Sequence, residues 1–164
     1  MRLLLLWFVL AITNIASANT PYEMRGVVLL QPESVLNERI QTNSLASYIR
    51  SVNAAATDVF ASQTHGPAAG FLVLAIRPGN QSAAWLDVSP ALPPDLANDL
   101  VARLRALPVP EVQLGPVVFA VRAVLWGGEP LDQNLPEPEE WRRAAHEAGQ
   151  PLEIGELVGR IWPR

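Results

Sequence analysis

The chain lacks cysteine, and all twelve of its basic residues are arginine, so it lacks lysine as well. Without cysteine there is no disulfide, no thiolate metal site and no cysteine nucleophile. Histidine occurs only at positions 65 and 146, too few for a histidine-rich metal centre, and no metal or cofactor is expected. Positive charge is also short: 12 basic against 16 acidic residues give a net charge of −4, which disfavours binding to phosphate backbones and excludes nucleic acid as an expected partner. Long apolar runs are scarce. The longest, Leu3 to Ile12, makes about 15 Å of helix, half of the roughly 30 Å of a hydrocarbon core.

That run is nevertheless informative. Met1-Arg2 precedes it, and Ala16-Ser17-Ala18 follows, giving the charged, apolar and small-x-small regions of a secretory signal in their proper order. Cleavage is expected between Ala18 and Asn19, leaving a chain with no stable membrane span. No cysteine follows the apolar run, which closes the lipoprotein route. All-arginine usage with abundant Ala, Pro and Gly is associated with high-GC bacterial genomes, and a disulfide-free exported protein then fits the periplasm. The 164 residues, 49% of them hydrophobic, allow one domain whose core carries its own stability.

Four segments divide the chain. Residues 1–18 are the signal and residues 19–43 read as an N-terminal arm. Residues 44–127 read as an α+β domain, and 128–164 as a linker with a C-terminal helical extension. Within the arm, Gly26 to Leu30 is a short apolar run suited to a strand, and Val35, Leu36 and Ile40 could line a short helix. The first strong helix is expected to start at a cap on Asn43 or Ser44, because Leu45, Tyr48, Ile49, Val52, Ala56, Val59 and Phe60 form one stripe at helical spacing. Gly70 to Arg77 and Ala84 to Val88 flank Pro78-Gly79, the signature of a β-hairpin. Pro93-Pro94-Asp95 opens a second helix on which Leu96, Leu100, Leu104 and Leu107 recur every three or four residues. Val117 to Trp126 is apolar at both parities, so this strand is covered on both faces or meets a partner on one. Pro138 to Gly149 reads as a short helix, with proline and acids at its start and glycine at its end. The expected fold is a three-stranded antiparallel sheet packed by two main helices on one face.

Residues 45–126 resemble the C-terminal domain of the TonB and TolA proteins. The likeness rests on Tyr48-Ile49 in the first helix and Gly70-Phe71-Leu72-Val73 opening the first strand. It rests also on the Pro78-Gly79 turn and on Pro108-Val109-Pro110 ahead of Val117-Val118-Phe119-Ala120-Val121. The resemblance implies a non-enzymatic periplasmic docking module that pairs an extended segment of a partner protein with its sheet edge. The family's long spacer has no match here, and the stretch from Gly127 onward falls outside its pattern. The likeness therefore implies a type of function and no pathway.

Catalytic patterns are wanting. His146-Glu147 lacks the second histidine of a zinc-protease signature, and Asp58, Ser62 and His65 have no nucleophile-elbow context. Asp87 has no second carboxylate at a spacing that pairs with it, as a glycosidase would need. No catalytic residue is assigned. The strand 117–126 is the expected docking edge, with Val117, Phe119, Val121 and Trp126 as its partner-binding residues. The expected function is periplasmic protein binding, and the alternative is an inhibitor or immunity-type protein that neutralises a periplasmic enzyme.

Overall fold

A computed structural model describes residues 20–163, so the signal segment with its Ala18–Asn19 cleavage site lies outside the described residues. The chain is α+β, with one antiparallel sheet of four strands in the order β1-β4-β2-β3. These strands are β1 (Tyr22–Leu29), β2 (Ala68–Arg77), β3 (Gln81–Ser89) and β4 (Val117–Leu125). Among the described residues five helices accompany them: α1 (Glu33–Arg39), α2 (Thr42–Ala61), α3 (Pro94–Arg105), α4 (Glu139–Ala148) and α5 (Ile154–Arg160).

The fourth strand comes from the expected arm. Tyr22 to Leu29 pairs with β4 from Leu125 back to Phe119, broken by one bulge where Arg25 finds no opposite residue. The buried Gln31 side chain extends this ladder beyond the strand's end. Its amide donates to Pro116 O at 3.1 Å and its carbonyl accepts from Val118 N at 3.0 Å. Arg39 of α1 donates to the same Pro116 carbonyl at 2.6 Å, which ties the segment 31–39 to the start of β4.

The amphipathic stripe of α2 is buried as its spacing requires, with Leu45, Tyr48, Val52, Ala56, Val59 and Phe60 facing inward. Its N-cap is Gln41, not Asn43 or Ser44. The Gln41 carbonyl accepts from the N–H groups of Ser44 and Leu45, so the two expected caps fall inside the first turn. The hairpin turns through Pro78, Gly79 and Asn80, with φ at +85° and +56° in the last two, and Arg77 faces Gln81. Gly79 meets the positive φ without strain, and Asn is among the few other residues that accept it.

Both sheet faces are covered. Helices α1, α2 and α3 lie on one, against Leu72, Leu74 and Ile76 of β2 and Val117, Phe119, Val121, Ala123 and Leu125 of β4. On the other, Trp141 and Ala144 of α4 and Leu157 and Val158 of α5 pack on Phe71, Val73, Ala75, Ala83, Trp85, Val118 and Ala120. The expectation of helices on one face only is corrected. A strand apolar at both parities must be shielded twice, and the C-terminal extension supplies the second shield.

Candidate docking edge and its cleft

The residues expected to bind a partner are elsewhere than expected. Strand β4 pairs with β1 on one side and β2 on the other, so it is interior to the sheet and has no free edge. Val117, Phe119 and Val121 are fully buried beneath the helices. Trp126 is a core pin. Its indole N–H donates to Gln63 O at 2.9 Å, and its ring meets Phe60 edge-on at 5.4 Å. It takes a left-handed backbone (φ +48°), held by its own N–H donating to Pro21 O, and so turns the chain out of β4. The pairing that buries β4 joins residues about a hundred positions apart, and no local pattern announces such a contact.

The polar residues weighed for catalysis do not converge. His65 packs edge-on against Trp126 at 5.0 Å, in the cluster on the α2 side. Asp87 lies on the opposite face with Phe71, its cross-strand partner. The Asp87 carboxylate accepts from Gln133 Nε2 at 2.8 Å and from the Glu137 backbone N–H at 2.7 Å. Arg122, across β2 from Asp87, donates to the carbonyls of Gln133 and Asn134 and places its guanidinium 5.2 Å from the Phe71 ring centre. Asp87 and Arg122 therefore clamp the segment 133–137 onto the sheet. Sequence reading passed over Arg122, although a lone arginine in an otherwise apolar strand was a signal. His146 is exposed near the end of α4. Among the described residues, no group of three His, Asp or Glu side chains could hold a metal.

Two phenols are shielded from water. Burial pushes Tyr22 up to about 12. Burial does the same for Tyr48, also to about 12, with the neighbouring Ser82 hydroxyl acting weakly the other way. Ser82 gives its proton to Arg105 O at 3.1 Å, and neither tyrosine hydroxyl has a hydrogen-bond partner of ordinary geometry.

The true edges are β1 and β3. Strand β1 is bulged at Arg25 and carries a Glu23–Arg25 ion pair at 2.9 Å, both of which discourage a further strand from adding. Strand β3 is different. Its nine residues pair with β2 in unbroken register from Ser89 to Gln81, and among the described residues its backbone bonds to no other strand or loop. At its Gln81 end an open cleft of about 660 Å³ is lined by Arg77, Gln81, Ser82, Arg105, Trp162 and neighbouring small residues. The Arg77 guanidinium lies 3.9 Å from the centre of the Trp162 ring, and its Nε donates to Gln81 Oε1 at 2.6 Å. No protein-family model, curated protein or solved structure matches this chain.

Proposed function

We propose that this protein is a non-catalytic, periplasmic protein-binding module that takes an extended segment of another envelope protein as an additional strand beside β3. The observation that carries this reading is the outer edge of β3, free of bulges and, among the described residues, without a backbone partner, which is open at Gln81–Ser82 and from Leu86 to Ser89 while Ala83, Ala84 and Trp85 between them are buried. An unpaired edge of this kind offers a row of N–H and C=O groups to a second chain, which supplies affinity through backbone bonds and specificity through alternate side chains. The resemblance of residues 45–126 to the TonB/TolA C-terminal domain supports the same mode of binding, moved from β4 to β3. The secretory pattern of residues 1–18 supports the location.

The test is site-specific photo-cross-linking in intact cells, followed by osmotic release of the periplasm. A photoreactive residue at Gln81, Val88 or Ser89 on β3 is expected to trap one partner in the released fraction, while the same group at Glu23 or Met24 on β1 traps none. Adducts confined to β1 would overturn the choice of edge. A protein retained with the cytosol would overturn the location.

A further inference from the structure

We infer that the Arg77–Arg105–Trp162 cleft is a carboxylate-reading site, selecting docked segments that carry an acidic side chain where they pass the Gln81 end of β3. This rests on the edge-docking reading and adds to it the chemical class of the partner segment.

The chain has 16 acidic residues against 12 arginines, yet among the described residues the cleft lining contains no carboxylate. Three surface arginines elsewhere sit beside an acid, Arg25 with Glu23, Arg103 with Asp99 and Arg160 with Glu156, while the exposed Arg50, Arg142 and Arg143 form no ion pair among the described residues. Arg77 and Arg105 have no such pairing among the described residues. Arg105 is exposed, and among the described residues its side chain makes no hydrogen bond, which leaves its guanidinium donors to solvent. Arg77 is held flat on Trp162 and fixed through Nε by Gln81, which leaves the terminal nitrogens of its fork available. A guanidinium oriented in this way is suited to bidentate contact with a carboxylate and loses less freedom on binding than a mobile one. Asn80, Gln81 and Ser82 add neutral polar groups around the same opening.

A polyanion is a poorer occupant. Two guanidiniums are few for a phosphate backbone, and the molecule's net charge of −4 repels one along its length. A peptide with one or two acids presents the charge that the cleft lacks and little more.

The experiment uses three synthetic ten-residue peptides, alternating Thr with Glu, Gln or Lys, and a single-stranded oligonucleotide of similar length. In the chain from Asn19 onward, which lacks Trp7, Trp162 is the reporter, because it is half-buried while Trp85, Trp126 and Trp141 are each at most 5% exposed. The Glu peptide is expected to shield Trp162 from a soluble quencher and to bind at least about tenfold more tightly than the Lys peptide, with the difference shrinking as salt rises. Arg105→Glu is expected to abolish that preference. The Arg105 side chain makes no hydrogen bond among the described residues, and an unchanged circular dichroism spectrum checks that the variant stays folded. Arg77→Gln should weaken binding and raise quenching of Trp162 even without peptide. Equal binding of the Glu, Gln and Lys peptides would overturn the inference and leave β3 docking intact. Cross-links confined to β1, with Glu selectivity retained, would overturn β3 docking and leave the cleft as an acid-binding site. An oligonucleotide that binds as tightly as the Glu peptide would replace the carboxylate with a phosphate and overturn the inference.

Discussion

Tyr22 and Tyr48 show how burial alone sets the behaviour of a polar group in this molecule. Their hydroxyls are buried and unpartnered, while their rings do the packing: Tyr22 stacks on Phe60 at 5.7 Å and Tyr48 meets Phe119 edge-on at 6.1 Å. Removing an unsatisfied hydroxyl relieves a desolvation penalty, so Tyr22→Phe and Tyr48→Phe are expected to leave stability unchanged or raise it by about 1 kcal/mol in denaturant titrations. Both phenols also titrate near 12 when folded, against 10.0 when exposed. A phenol that holds its proton more tightly in the folded state contributes stability that is fully present below pH 10 and lost as the pH climbs towards 12. The loss is about 3 kcal/mol per tyrosine at most. Lysine, which would otherwise titrate in the same window, is absent, and arginine keeps its charge there. Unfolding followed by circular dichroism should therefore coincide with phenolate absorbance, and the double Phe variant should resist alkali. Alkaline unfolding that the double variant leaves unchanged would mean another group is responsible.

At the scale of elements, the segment 129–138 is more than a connection. It buries Pro136 and Pro138, and Asp87 and Arg122 hold it by hydrogen bonds from two different strands. Asp87→Ala removes the carboxylate that accepts from Gln133 and Glu137, at an expected cost of about 1–3 kcal/mol because both bonds end on a charge. The more specific outcome is local: limited proteolysis should cut this variant within 129–138 well before the wild type. Identical digestion of the two would show that the clamp does not restrain the segment. The elements themselves were largely legible, and the failures have one cause. The stripe of α2, the Pro78-Gly79 hairpin, the leucines of α3 and the Gly149 stop of α4 are local patterns, and each is present within a few residues of its expected place. Strand β1 begins Tyr22-Glu23-Met24-Arg25 and looks like an arm, because its reason for being a strand is β4, far along the chain. Strand β4 was expected to be an edge for the same reason. Once β1 joins the sheet, β4 becomes interior and the edges are β1 and β3, of which β3 is the one without a bulge.

The whole molecule is three layers deep, and the third layer answers the question that β4 poses. Helices α4 and α5 cover a sheet face made of Phe71, Val73, Trp85, Val118 and their neighbours, with Trp85 and Trp141 in edge-on contact at 5.6 Å. Residues 44–127, read from sequence as a domain in themselves, would expose that face. Burying each large side chain in the layer contributes about 1.5–3 kcal/mol, so Trp141, Leu157 and Val158 together are comparable with the roughly 5–15 kcal/mol of net stability of an ordinary domain. A chain ending at Gly128 should therefore lose several kcal/mol in denaturant titrations and bind a hydrophobic dye. It should also self-associate in gel filtration, since a bare apolar sheet face recruits whatever covers it. Trp85 emission should shift to longer wavelength as its cover leaves. The same truncation removes Trp162 and with it one wall of the cleft beside β3, so Glu-peptide selectivity should fall even where the shortened chain stays folded. A truncated chain that stays monomeric, equally stable and equally selective would show that the C-terminal layer is dispensable to both fold and cleft. The dependence of the two on one layer is what separates a single three-layered unit from a docking domain with an appended tail.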